Sequence, residues 1–283
     1  MKAIEMQAAG FRLQRRAVLA LLAAAVLPAR AQAFDHGHGA WDALLQKHVR
    51  LISDGRASQV DYAGFAQDRA ALKRYLDALS AVTPAQYAGW SKAQQFAILA
   101  NAYNAFTVEK ILTRYPNLKS IRDFGSVFGN PWKDRFFTLL GKPQHLDGIE
   151  HETMRAPGAF DDPRVHMAVN CASVGCPMLL NRALVAERLD AQLDDLMLRF
   201  MSDRTRNRYN VQTRTLELSR IFDWYGKDFE KGHRGFGSVA DVGARYADVL
   251  ADAPADRAAL RAKSVPLSFL EYDWALNDLR RSR

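Results

Sequence analysis

Residues 91–116 read SKAQQFAILANAYNAFTVEKILTRYP, and this run decides the centre of the fold. It opens on Ser91-Lys92-Ala93-Gln94, an S-x-x-Q capping box in which the serine hydroxyl takes an orphan helix amide and the glutamine reaches back. Phe96, Leu99, Tyr103, Phe106 and Ile111 follow at nearly helical spacing until Pro116 ends the pattern, which predicts a central buried helix. Asn101 and Asn104 are costly inside such a helix unless their amides bond something specific. They are therefore candidates for positioning a substrate or the cysteine loop, or for tethering neighbouring backbone.

On the N-terminal side, Trp41, Leu44, Leu45, His48 and Val49 mark an amphipathic helix, and Asp54-Gly55 signals a turn before Val60 and Tyr62. On the C-terminal side, 136–140 and 165–171 read as short strands, 207–211 and 215–218 as a hairpin, and 184–201 as a long amphipathic helix. Many helices with a few short, mainly antiparallel strands predict an α+β fold, a mostly helical single domain with a small sheet.

Arg12, Arg15 and Arg16 precede an apolar run at 17–27, and Ala29-Arg30-Ala31-Gln32-Ala33 offers small-residue cleavage sites. Residues 1–33 therefore read as a secretory signal peptide, too short to span a bilayer, leaving 34–283 as one domain. The expected location is periplasmic or secreted, by general secretion or by the twin-arginine route that Arg15-Arg16 permits. No later segment is apolar enough to cross a membrane. Setting aside Lys2, Arg12, Arg15, Arg16, Arg30 and Glu5 takes the formal charge from +8 to +4. The remainder is spread along helices rather than gathered into a basic, aromatic-interleaved run, which excludes nucleic acid as the expected partner.

Several separated motifs stand in order along the chain. They are Asn101-Ala102-Tyr103-Asn104, Leu146-Asp147-Gly148-Ile149-Glu150, the 166–177 stretch, Asp223-Trp224-Tyr225 with Asp228-Phe229, and Tyr272-Asp273-Trp274-Ala275-Leu276-Asn277. Together they resemble the domain of unknown function 547 family over roughly 60–277. The resemblance implies a domain boundary and little chemistry, since the family is named for its lack of an assigned activity.

The chemistry is concentrated in residues 165–180, VHMAVNCASVGCPMLL, which hold both cysteines, Cys171 and Cys176. Pro177 favours the first position of a helix, so Cys176 reads as its N-cap, where exposed amides and the helix dipole lower a thiol pKa. His166, on the expected strand beside Ala168 and Asn170, is the candidate general base, with Glu150 or Asp147 orienting its ring. Asn170 joins Asn101 and Asn104 as a candidate substrate contact. This Cys176-His166-Glu150 set points to a thiol-dependent hydrolase or acyl transferase acting on a small-molecule, peptide or ester substrate. The layout matches papain-like and transglutaminase-like hydrolases only in circularly permuted form, because histidine precedes cysteine.

Each member has another reading. In an oxidising compartment two cysteines five positions apart form a disulfide, making the chain a non-catalytic envelope binding or scaffold module. A reversible redox couple is a third reading, though the spacing is wider than in thioredoxin-like sites. His166 can be a core histidine, Asp147 can cap a helix with Glu150 three residues on, and Asp223, Trp224, Tyr225, Asp273 and Trp274 can be aromatic packing with buried carboxylates. If cleavage follows Ala33, Phe34-Asp35-His36 places a histidine third behind a free amine, a square-planar nitrogen set for copper(II) or nickel(II). No metal site is expected within the domain and no cofactor is called for. There is no phosphate-cradling glycine loop, no His-Glu-x-x-His helix and no Gly-x-Ser-x-Gly elbow.

Overall fold

The capping box at Ser91 is formed. In the computed structural model, which describes residues 33–125 and 129–282, Ser91 Oγ accepts from the Gln94 amide at 3.2 Å and Gln94 Oε1 from the Ser91 amide at 3.0 Å. The expected signal peptide lies outside the described residues, and 34–283 is a compact unit. In chain order the unit begins with α1 (Gly39–His48), β1 (Val49–Ile52), β2 (Ala57–Val60), α2 (Tyr62–Gln67), α3 (Arg69–Ser80), α4 (Pro84–Ala88) and α5 (Lys92–Leu112).

Helix α5 is buried on every face from Phe96 onward, as expected of a helix apolar all round. Its two interior charges are paired: Glu109 accepts from Arg69 at 2.6 and 3.1 Å, and the Lys110 ammonium lies 2.8 Å from Asp134. Helices α2 and α3 pack against it and α1 packs on both, with Trp41 stacked on Tyr75 at 5.8 Å. On another side lies a π-helix, Gly148–Met154, following the hairpin β3 (Phe137–Leu139) and β4 (Lys142–Gln144).

Beyond it come α6 (Val165–Ala168), α7 (Leu189–Ser202), β5 (Arg208–Asn210), β6 (Thr215–Ser219), α8 (Arg220–Trp224), three further short helices and β7 (Leu267–Leu270). The fold is mixed, about half helical, with three small sheets among the described residues. Among the described residues the named strands pair antiparallel except β6 with β7, which is parallel.

Three local expectations are corrected. Residues 165–171 form no strand. Asp162 and Pro163 start a helical turn instead, Asp162 accepting from the Arg164 amide at 2.9 Å, and α6 follows. Cys176 caps no helix: its carbonyl, which would begin a helical ladder, accepts from Arg206 Nη1 at 2.7 Å, and the Pro177 carbonyl accepts from Asn170 Nδ2 at 2.7 Å. The helix foreseen from 184 starts later, because Asn101 takes the Leu184 backbone and Gln192 takes the Val185 amide.

The papain-like layout therefore lacks its two defining features here, a helix-capping cysteine and a strand-borne histidine. The 272–278 segment holds the cysteine loop in place. Val174 and Gly175 amides donate to Ala275 and Asp273 carbonyls at 2.8 Å each, and the Asn277 amide donates to Ala172 at 3.1 Å. Gly175 sits so close to this segment that a Cβ would lie 3.0 Å from the Asp273 nitrogen and from the Tyr272 ring.

Candidate functional site

The three asparagines act on the backbone. Asn101 pairs with both polar atoms of Leu184, at 2.8 and 3.1 Å. Asn104 donates to the Ala168 carbonyl at 2.9 Å and accepts from the Asn170 amide at 2.8 Å, so one side chain bridges α5 to both ends of the turn before Cys171. Asn170 accepts from the Ala172 amide at 3.0 Å and from the Asn277 side chain at 3.2 Å. All three are buried and bonded to neighbouring backbone, the tethering alternative read for Asn101 and Asn104.

What they tether lines a cavity of about 320 Å³. Cys171 and Cys176, joined as a disulfide, form one part of its wall. The Tyr272 hydroxyl lies 3.2 Å from Cys171 Sγ, and the Cys171 amide donates to Cys176 Sγ at 3.0 Å. Also in the lining are Asp147, Glu150 and His151, supplied by the start of the π-helix, and His166 from α6. Asp147, Glu150 and His151 are spaced i, i+3, i+4, which gathers them on one face of a helical segment. Aromatic rings complete the wall, with Trp224 and Trp274 stacked at 5.6 Å and Tyr272 against Trp274 at 4.5 Å.

His166 lies beside Glu150, and Asp228 and Tyr225 complete its surroundings. Its Nε2 lies 2.9 Å from Asp228 Oδ2, its Nδ1 lies 3.4 Å from Glu150 Oε1 without hydrogen-bond geometry, and its ring stacks on Tyr225 at 4.0 Å. Both ring nitrogens face carboxylates, so the imidazole addresses Glu150 and Asp228 rather than a sulfur.

Asp228 also receives Arg155 Nε at 2.6 Å and Lys231 Nζ at 2.9 Å. Burial works against its charge, but His166, Arg155 and Lys231 outweigh it and hold the carboxyl far below the ordinary range. Arg155 reaches on to His151 Nδ1 at 2.7 Å, and His151 Nε2 lies 3.6 Å from Asp147. A chain of polar contacts thus runs from Asp147 through His151, Arg155, Asp228 and His166 to Glu150.

The two cavity carboxylates are shifted in opposite directions. Burial tends to raise Glu150, yet His166, His151 and Arg155 bring it below its usual value. Burial raises Asp147, which His151 offsets only in part and the neighbouring Glu150 charge reinforces. Sequence reading missed Asp228, His151, Arg155 and Trp132 as site residues. The Asp-x-x-Glu-His spacing at 147–151 was an available signal for His151.

Residues 87–201 match the model of DUF547, a family of proteins of unknown function. The DUF547 segment carries α5, both cysteines, Asp147, Glu150 and His166, while Trp224, Tyr225, Asp228, Tyr272 and Trp274 lie beyond it. Neither a curated protein nor a solved structure matches the chain.

Among the described residues no cluster of three or more metal-ligating side chains exists, and no helix is long and apolar enough to cross a membrane. At the expected N-terminal nitrogen set, the His36 ring packs on Trp90 at 4.4 Å, and His38 Nδ1 lies 2.7 Å from the Tyr75 hydroxyl.

Proposed function

We propose that the chain is an exported, non-catalytic binding module whose aromatic, acid-bearing cavity takes a small ligand, with the Cys171–Cys176 disulfide fixing one wall. One observation carries this reading. A thiol mechanism needs a free sulfur beside an uncommitted base nitrogen, whereas each sulfur is bonded to the other and both His166 nitrogens face carboxylates. A concave pocket with many rings and a few convergent polar groups is the usual form of a small-molecule site. Export to the periplasm or beyond is supported by the arginine-flanked apolar run at 17–27, and it suits a disulfide.

The oxidised chain is expected to bind small molecules with a change in tryptophan fluorescence, since Trp224 and Trp274 line the cavity. It is expected to leave chromogenic esters and amides intact. A second reading, a thiol-dependent hydrolase or acyl transferase in the reduced chain, is favoured by one contact. The Cys171 amide aimed at Cys176 Sγ would stabilise a thiolate there, in the same cavity as Glu150 and His166. Ester turnover that appears on reduction and vanishes in Cys176→Ser would establish that reading and remove the first.

A further inference from the structure

The expected mature terminus lies apart from the cavity and carries chemistry of its own. Ala31-Gln32-Ala33 is a small-residue cleavage motif, and the compact unit begins at the next residue, Phe34. Cleavage there leaves Phe34-Asp35-His36 behind a free amine. Four nitrogens then stand within three residues: the Phe34 amine, the Asp35 and His36 amides, and His36 Nδ1. Only the last belongs to a side chain, so such a site is compatible with the lack of a cluster of metal-ligating side chains among the described residues.

A histidine third along a loose tail would mean little, but this segment is held in place. The Phe34 and His36 rings pack on Trp90 at 5.3 and 4.4 Å, just ahead of the Ser91 cap of α5. The Asp35 carboxylate accepts from the Gly37 and Gly39 amides at 2.9 and 2.8 Å, and its carbonyl accepts from the His38 amide at 3.1 Å. These bonds use the oxygens of Asp35 and leave its nitrogen free. Among the described residues neither the Asp35 nor the His36 amide donates to an acceptor. His36 Nδ1 is buried and likewise unpartnered, which costs stability in either tautomer. By contrast, His38 Nδ1 is taken by the Tyr75 hydroxyl at 2.7 Å. The nitrogens that a terminal chelate needs are the ones the fold leaves unused.

We infer that the mature chain begins at Phe34 and binds one copper(II) ion through its terminal amine, the Asp35 and His36 amides and His36 Nδ1. A square plane of nitrogen donors suits copper(II), which also outranks the other divalent first-row metals in affinity. The ion displaces both amide protons and any proton on the amine, so binding tightens as pH rises. This rests on the export reading above and is independent of what the cavity holds.

The test takes the protein from its native compartment, identifies its N-terminal peptide by mass spectrometry, strips it of metal with a chelator and titrates it with copper(II) chloride. A start at Phe34 is expected, with a violet absorption band that saturates at one equivalent. Tryptophan fluorescence should be quenched in step, because Trp90 touches the His36 ring. His36→Ala should lose the band, and thermal melting confirms that this variant is folded. The uncleaved full-length chain should lose it too, since its Phe34 nitrogen is an amide while every histidine is kept. A band that survives in either, a mature start at any other residue, or no band in a chain that starts at Phe34 overturns the copper site. A native protein that retains residues 1–33 overturns the export reading as well.

Discussion

His166 meets a carboxylate at each nitrogen and the Tyr225 ring on its face. The key partner is Asp228, 62 positions away in sequence, which is why His166 and Glu150 could be named as candidates from the chain while the residue that holds the ring could not. Asp228→Asn leaves Arg155, Lys231 and His166 facing a neutral amide. It is expected to cost on the order of 3 kcal/mol in urea denaturation, and a loss within experimental error would show that these polar contacts contribute nothing. His38 gives a pH-dependent prediction. Burial is the main cause, and His36 adds to it against the pull of Asp35, so its pKa falls to about 4. The unfolded chain therefore binds a proton near pH 6.5 that the folded chain refuses until about pH 4, so stability is lost as pH falls across that window. The loss is bounded at roughly 3 kcal/mol. His38→Gln is expected to flatten the stability difference between pH 7 and pH 4, measured by chemical denaturation at each pH.

At the scale of elements, α5 was legible because its signal is local: a capping box at 91–94, an apolar repeat and a terminating proline. Ser91→Ala is expected to lower stability by about 1 kcal/mol. The cysteine loop was misread because Pro177 suits an extended turn as well as a helix start. What decides between them is distant: Asn104 on α5, Arg206 after α7 and Asn277 near the C-terminus each take backbone groups of 168–177. The two asparagines in α5 were recognisable as residues needing a specific partner, but not whether that partner was ligand or backbone. Asn104→Ala strands the Ala168 carbonyl and the Asn170 amide in the core. It should cost about 2 kcal/mol and speed reduction of the Cys171–Cys176 bond by dithiothreitol, read as the rate at which thiols appear. Gly175→Ala is expected to act on the same loop by pushing against the Tyr272 ring and the Asp273 backbone.

Across the whole molecule, the site is assembled from the middle and the C-terminal part of the compact unit. The DUF547 segment brings the acids, the histidine and the cysteines, and the chain beyond 201 brings Trp224, Tyr225, Asp228, Tyr272 and Trp274 to close over them. The fold class was legible from the mixture of periodicities. The separation of the strands into three small sheets, one with a parallel pair, was not, because strand pairing is set by contacts far apart in sequence. Whether this assembly is a receptor or an enzyme depends on two sulfurs. The direct measurement is peptide mapping by mass spectrometry of the protein from its native compartment, alkylated with iodoacetamide at pH 7 without reductant. A single peptide pair linked through Cys171 and Cys176, with neither sulfur alkylated, is the expected result; two free thiols with Cys176 rapidly modified would contradict the binding module and restore the thiol enzyme.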